Sequence, residues 1–341
     1  MKWRFADNQS KQTLGADPLL KMVSPVLVKE NPVRQVFKCG SLFFKYDKRF
    51  FNGLHKEFRH AVRIKAAGIP VVEHLAVSRH YLVTASADNC VELSSFLRDN
   101  VPGQDMLDAL GRFIVTMKKC CLKHDDLHSG NILYNVVENT FLLVDLCSAD
   151  IAKTTSERQN RNYAHLVMEL RRFLPRKSLF SLLKICSENQ ESDKLFDEML
   201  NYDTIQMLNS WKKRQLQILS GYKKFTRQQN GMLISADAPE DISCADKITC
   251  DGAKYMLMHH FLELNHIPHR KVWAVDGNTA YLEPDEQSAV SDITEEQFAD
   301  FSERLVLCGI STVPQDWRIV SDKIKFLNLS SAIEQCELLG S

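Results

Sequence analysis

The chain has no excess of either charge: 43 Lys and Arg balance 43 Asp and Glu over 341 residues, a net charge of zero. Proteins built to coat nucleic acid carry a large basic surplus, so that class is set aside, while local basic patches stay open. Long apolar runs are missing too. None approaches the roughly 18 residues that a membrane-spanning helix requires, and the opening MKWRFADNQSKQTLGADP lacks the apolar core of a secretory signal. Cysteine occurs ten times but never at metal-ligand spacing: Cys120 and Cys121 are adjacent, and Cys244 and Cys250 lie six apart. Reduced thiols in a cytoplasmic protein fit that usage. Collagen-like, coiled-coil and low-complexity patterns are also lacking. What remains is 44% apolar and 25% charged residues, enough for sizeable cores in two domains, or in one two-lobed body with an appendage.

The most informative stretch is Lys123-His124-Asp125-Asp126-Leu127-His128-Ser129-Gly130-Asn131-Ile132-Leu133, followed by Leu142-Leu143-Val144-Asp145. Asp126 precedes Asn131 by five residues inside H-x-D-x-x-x-x-N, and Asp145 follows Asn131 by fourteen at the end of an apolar run. Moving a γ-phosphoryl group needs little covalent chemistry. It needs an acceptor hydroxyl aimed by a carboxylate, and Mg²⁺ held against the nucleotide phosphates by an amide oxygen and a second carboxylate. Asp126, Asn131 and Asp145 are those residue types in that order. A solvated turn would also be rich in Asp, Asn, Ser and Gly, but it does not explain the flanks. Met106, Leu110, Phe113, Ile114, Met117 and Cys121 fall at helical spacing before the loop, and Ile132–Tyr134 and Phe141–Val144 read as strands around the polar turn Glu138-Asn139-Thr140 after it.

Upstream, residues 1–24 read as a loosely ordered lead-in. Strand-like Pro25–Lys29 and Arg34–Lys38 are broken by Asn31-Pro32, and Cys39-Gly40 turns into Ser41–Tyr46. A helix is expected from Leu54 to Ala67, stopped by Gly68 and Pro70, and two more strands over Val71–Val77 and His80–Thr84. A small antiparallel sheet with one helix across it is the N-lobe of a protein-kinase-like fold. There a strand lysine holds the α- and β-phosphates and a helix glutamate pairs with it. Lys45 and Glu57 take those roles here. Their alternatives are an edge-strand lysine and a solvated helix charge flanked by Lys56 and Arg59, and the twelve-residue gap between them is short. Ser86–Val91 reads as the hinge, with Ser86 and Ala87 offering backbone groups to adenine, and Glu92–Leu97 as the first C-lobe helix. A helix carrying Arg161, Leu166, Leu170 and Phe173, with further helices over Leu179–Ile185 and Thr204–Tyr222, completes a mainly helical C-lobe near residue 225. Arg158, Arg161, Arg171 and Arg172 either face an anionic acceptor or form a solvated helix face.

Phe43-Phe44-Lys45-Tyr46, Glu57-Phe58-Arg59, Ala67-Gly68-Ile69-Pro70-Val71-Val72 and His124 to Leu133 together resemble the bacterial lipopolysaccharide core kinases of the Kdo/heptose kinase family, over roughly residues 25–225. The D-x-H-x-G-N form, with His128 where protein kinases carry lysine, is similar to small-molecule and glycolipid kinases, including aminoglycoside phosphotransferases. The resemblance implies ATP and Mg²⁺ as cofactors, Asp126 as base, Asn131 and Asp145 as metal ligands, Lys45 and Glu57 as the phosphate-holding pair, and His124 as the anchor of the loop. Asp125 departs from it by standing beside the base where relatives have glycine or arginine. Leu146-Cys147 follows Asp145 in place of Phe-Gly. Lys29–Gly40 holds a single glycine, so a glycine-rich phosphate loop is missing.

Residues 226–341 lie outside the resemblance. Polar Arg227–Gly231 reads as a boundary, followed by a helix over Ala253–Leu264, strands Lys271–Val275 and Ala280–Leu282 around an Asp276-Gly277 hairpin turn, a helix over Glu295–Leu307, and strands Trp317–Val320 and Ile324–Leu327. Hairpin, helix, Gly-Ile and strand pair repeat the order seen from Arg34 to Ile69. The tail is therefore either a degenerate N-lobe-like module, with Leu282 in place of the lysine, or an unrelated α+β unit. His259, His260, His266 and His269 cluster without carboxylate or thiol spacing and read as surface or core histidines. The expectation is thus an α+β, two-lobed protein-kinase-like fold with an additional C-terminal α+β module, divided as 1–24, 25–88, 89–225 and 226–341. Its partners would be ATP and a sugar or glycolipid acceptor, with no nucleic acid. The place would be the cytoplasm, with peripheral contact at the inner membrane. Competing readings are a kinase for another small molecule or a protein, and an inactive kinase-like scaffold.

Overall fold

The computed structural model describes residues 2–48, 53–152, 163, 166, 167, 169–186, 209–222, 224–265, 267–284, 294–307, 310, 317–320 and 323–326. The expected acceptor-facing Arg158 and Arg161 lie outside these residues. The chain is α+β with antiparallel sheets and divides into two units. One comprises Met1–Glu169 and Phe180–Leu195; the other comprises Leu170–Leu179 and Phe196–Ser341.

The first unit is led by a six-stranded sheet. In chain order the elements are β1 (Arg4–Phe5), α1 (Asn8–Leu14), β2 (Val26–Glu30), β3 (Arg34–Cys39), β4 (Leu42–Asp47), α2 (Gly53–Ala66), β5 (His74–Val77) and β6 (Tyr81–Ala85), and the strands lie in the order β1-β5-β6-β4-β3-β2. Residues 2–23 are not the loose lead-in expected. Arg4 and Phe5 pair with Val77 and Ala76, Asp7 caps α1 through the Ser10 N–H, and Leu14 is buried in a cluster with Phe44, Leu75, Ala76 and Val83. Antiparallel partners share a sheet face, so Lys45, opposite Val36 and Leu82, points away from Phe44, opposite Phe37 and Val83. The lead-in packs on the Phe44 face. On the Lys45 face α2 lays down Leu54 and Phe58 against Val77 and Leu82. Burying that helical stripe also buries Glu57, one turn before Ala61.

Downstream come β7 (Cys90–Glu92), α3 (Leu93–Asp99), α4 (Gln104–Lys119), β8 (Leu122–His124), β9 (Ile132–Asn135), β10 (Thr140–Leu143) and β11 (Ala149–Ile151). The apolar stripe of α4 includes Met106, Leu110, Phe113, Ile114 and Met117. Cys121, read as its last member, lies beyond the helix end in a left-handed turn with φ 54°. β9 and β10 form a hairpin with Ile132 opposite Leu143, and β8 pairs with β11, His124 opposite Ala149. α5 (Arg176–Cys186) follows, its first four residues counted with the second unit.

In the second unit a helical segment over 209–219 precedes β12 (Thr226–Gln229), β13 (Met232–Ser235), β14 (Asp246–Thr249), α6 (Gly252–Leu264), β15 (Val272–Asp276) and β16 (Thr279–Leu282), then α7 (Glu295–Leu307) and the β17 (Trp317–Val320)/β18 (Lys323–Phe326) hairpin. The stretch read as a boundary is a hairpin: β12 and β13 are joined by Asn230 and Gly231, both at positive φ. Trp211 and Ile218, placed by sequence in the preceding lobe, are buried with Tyr255, Phe261, Val272 and Leu305. The unit therefore reaches back past residue 226. The β17/β18 pair forms a sheet of its own, so the expected repeat from Arg270 stops at element order. A different segment parallels the first sheet. β12-β13-β14-α6-β15-β16 follows the order of β2-β3-β4-α2-β5-β6, and in both the last strand lies between the third and the fourth. The first two strands join the third strand in one sheet and the fourth in the other.

Candidate functional site

Glu57 is fully buried, and the groups around it decide its charge. Lys45 Nζ lies 2.5 Å from its Oε1, His74 Nε2 3.5 Å from the same oxygen, and Arg34 Nη1 3.8 Å from Oε2. Burial opposes ionisation, but Lys45 and His74 overcome it and hold the carboxyl well below its ordinary 4.5. Burial likewise works against the Lys45 ammonium, yet Glu57 and then Asp145 keep its pKa above the ordinary 10.5. Arg34 is anchored by a 2.8 Å bond to Asp47, and that pairing, with Glu57, keeps it charged despite burial. The Cys147 Sγ–H faces Glu57 Oε2 at 3.4 Å; burial and the neighbouring carboxylate push this thiol up to about 12, so it stays a neutral donor. One ligand atom each of Glu57, Asp145 and Cys147 lie within 4.8 Å of one another. Asp145 thus reaches the edge of the Lys45–Glu57 pair.

Asp145 itself is exposed and sits in the left-handed region, φ 53° and ψ 60°. A non-glycine residue there costs about 1–2 kcal/mol, strain held by the surrounding bonds: Val144 N–H to Asn131 carbonyl at 3.0 Å, and His60 Nδ1 to Leu146 carbonyl at 3.1 Å. Because Ile132 pairs with Leu143, Asn131 and Asp145 lie at the same end of the β9–β10 hairpin. The Asn131 amide N–H donates to the Asp126 carbonyl at 2.9 Å, which leaves Asn131 Oδ1 as its acceptor. An amide oxygen and a carboxylate at one hairpin end are hard ligands, and they fit a hard divalent cation such as Mg²⁺.

The Asp126 side chain is 69% exposed, while its backbone is fixed at both ends: its N–H donates to His124 Nδ1 at 3.2 Å, and its carbonyl accepts from Asn131. His124 is buried, and burial pushes its pKa below the ordinary 6.5 although Asp126 and Asp145 pull upward. His128 Nδ1 accepts the Gly130 N–H at 3.1 Å, which leaves the Nε2–H side toward Asp126 Oδ2 at 3.8 Å. Gly130 is required by this approach, since a Cβ there would lie 2.9 Å from the His128 ring. The loop is tied down further by Glu169, whose two oxygens accept the Ser129 N–H at 2.6 Å and hydroxyl at 3.0 Å. Asp125 points elsewhere, to Lys123 at 3.0 Å. At the expected hinge, the Ser86 N–H donates to the Ser41 carbonyl at 2.7 Å and the Ala87 carbonyl accepts from Cys90 at 3.3 Å. Among the described residues, the Ser86 carbonyl and Ala87 N–H have no hydrogen bond.

No family model matches the sequence, and no curated protein matches it. Among solved structures the chain is similar to a choline/ethanolamine kinase family protein from Mesorhizobium loti, at 14% identity over 63% of this chain and 87% of that one, TM-score 0.40. It is also similar to the streptomycin–ATP ternary complex of APH(2″)-IIa, at 9% identity over 60% and 94%, TM-score 0.40. A third is WbdD with the kinase inhibitor LY294002, at 15% identity over 52% of this chain and 45% of that one, TM-score 0.34.

Arg34, His74, Cys147 and Glu169 were not singled out by sequence. Arg34 and His74 reach Glu57 through strand register, and Glu169 reaches Ser129 across forty residues, so no local spacing signals them. Arg171 and Arg172 belong to a 3₁₀ turn at Leu170–Arg172, with Arg171 fully buried and so facing no acceptor in solution.

Proposed function

We propose that the chain is an ATP- and Mg²⁺-dependent phosphotransferase of kinase-like, two-lobed build, acting on a sugar hydroxyl, with a heptose or Kdo of a lipopolysaccharide core as the acceptor class. The observation that carries this reading is the buried Lys45–Glu57 pair at 2.5 Å with Asp145 at its edge. A half-buried, charged lysine held by one fully buried carboxylate and aimed beside a second, strained one is what binding of a polyphosphate–metal complex requires.

In this scheme Asn131 Oδ1 and the Asp145 carboxylate hold the cation, which neutralises charge on the phosphates when bound. Lys45 contributes a fixed positive charge to the α- and β-phosphates. The exposed Asp126 carboxylate orients the acceptor hydroxyl and takes its proton as the oxygen bonds to the γ-phosphorus and the bond to the β-phosphate oxygen breaks. Ser86 and Ala87 offer a carbonyl and an N–H to adenine. The β12–β16 segment with α6 is read as an N-lobe-like module. Among the described residues no helix is long and apolar enough to cross a membrane, so membrane contact would be peripheral.

A second reading is an inactive kinase-like scaffold. It is favoured by the β2–β3 turn, which is built on the Asn31 side chain accepting from the Val33 and Arg34 N–H groups and has no glycine. Melting with ATP, with and without Mg²⁺, separates the two: the enzyme is stabilised only when both are present. Incubation with ATP, Mg²⁺ and envelope glycolipid should then add one phosphate by mass. Asp126→Ala should keep the nucleotide-induced stabilisation and lose transfer at least a hundredfold; unchanged turnover would sink the scheme.

A further inference from the structure

The second unit holds a polar cluster in its core that the phosphotransfer reading does not use. His259, from the middle of α6, and His269, shortly before β15, are both buried, with His259 Nδ1 2.7 Å from His269 Nε2. Their outer nitrogens already face acceptors. His269 Nδ1 lies 2.8 Å from the Ile267 carbonyl, and His259 Nε2 lies 3.4 Å from Ser235 Oγ and 3.7 Å from Asp237 Oδ1. Asp237 is positioned in turn by the Ser235 hydroxyl and by Lys271 Nζ at 3.1 Å.

A carbonyl oxygen only accepts, so His269 carries its proton on Nδ1 and turns the Nε2 lone pair inward. With a carboxylate outside His259, the same logic puts a proton on its Nε2 and a lone pair on its Nδ1. Two lone pairs aimed at each other across 2.7 Å need an electrophile between them. A third donor stands beside them. Glu263, one helical turn after His259 and exposed, brings a carboxylate oxygen within 4.8 Å of a nitrogen of each ring. Glu263 stands four residues after His259, so the histidine cluster does have a carboxylate at helical spacing.

Two imidazoles and a carboxylate, each imidazole oriented by an outer acceptor, make the donor set and the supporting shell that a zinc-class ion takes. We infer that His259, Glu263 and His269 bind one divalent transition-metal ion, which ties α6 to the segment entering β15. Metal–nitrogen distances of about 2.0–2.1 Å require the rings to part slightly, and the exposed Glu263 side leaves an entry path and a water position. Lys271 does not compete, because its ammonium is paired with Asp237. The alternative electrophile is a proton, with His259 as its Nδ1–H tautomer donating to His269 Nε2.

Chelator-stripped full-length protein titrated with Co²⁺ tells these apart. The expected result is one equivalent bound with the visible absorption of a four-coordinate site, displaced by Zn²⁺, which raises the melting temperature by about 2–4 °C or more at saturation. Glu263→Gln, at an exposed position that leaves the fold intact, should weaken Co²⁺ binding about tenfold or more, and His269→Gln should abolish the absorption. Glu303→Gln, also exposed but on α7, should change nothing. Absence of stoichiometric uptake by folded wild type would show that the pair shares only a proton, and uptake that Glu263→Gln leaves unchanged would overturn the three-ligand site.

Discussion

Three basic side chains, Lys45, Arg34 and His74, converge on the buried Glu57, and they are not equivalent. Only Lys45 makes a close ion pair, so Lys45→Met leaves a buried carboxylate with the Cys147 thiol at 3.4 Å and its remaining basic partners at 3.5 Å and beyond. Breaking a buried pair from one side typically costs about 3–5 kcal/mol; the residual partners place this variant near the lower end, read as a shift in urea midpoint. The sign of the pH dependence follows from the two shifts. Glu57 is depressed below 4.5, so its contribution is complete above that value and is lost as pH falls toward its lower folded value. Lys45 is raised above 10.5, so its contribution is complete below that value and is lost only at higher pH. Stability attributable to the pair should therefore be flat between about pH 5 and 10 and fall on the acid side. Lys45→Met should flatten the acid limb of a stability profile, and an unaltered limb would place the acid sensitivity elsewhere. At this scale the sequence was informative where function is written in short spacing. Asp126, Asn131 and Asp145 were legible because a loop and one hairpin set their geometry. Arg34, His74 and Glu169 were not, because their roles depend on register and on contacts tens of residues away.

Among the elements, α4 is held against Ile185 of α5 by a glycine. A Cβ at Gly111 would lie 2.8 Å from Ile185 Cγ2 and 3.2 Å from its Cβ. Alanine is the better helix former by about 1 kcal/mol, yet overpacking at such a contact costs about 1–3 kcal/mol. Gly111→Ala should accordingly be neutral to destabilising in a thermal melt, and adding Ile185→Ala should recover part of the helix gain. A stabilised single variant would mean that the helices part freely. Elements with clear periodicity, such as α2 and α4, were readable from apolar spacing. The β12–β13 hairpin was misread although Asn230-Gly231 is a strong turn signal, because β12 carries Arg, Gln and Gln and lacks the usual apolar alternation. The lead-in was misread because its helix has only seven residues and takes its order from the sheet it covers.

For the molecule as a whole, the packing of Trp211 and Ile218 decides where the second unit begins. Both are buried in its core, and a fragment starting at residue 226 would lack them. Two large apolar side chains contribute on the order of 4–6 kcal/mol together, comparable with the entire stability of a small unit. A fragment from 226 should melt without a cooperative transition, whereas one from 170, which holds the whole second unit, should melt sigmoidally, with tryptophan fluorescence shifting red on unfolding. Equal cooperativity in both would return the boundary to 226.

β2 ends the larger sheet with each of its five residues open to solvent, among them Val26, Leu27 and Val28. Among the described residues, its outer row of amide and carbonyl groups has no guard beyond Lys29 and the Lys48–Glu30 pair. Such a rim invites strand addition, so concentrated preparations should self-associate along this border, and a proline or second lysine at Val28 should keep the protein dispersed.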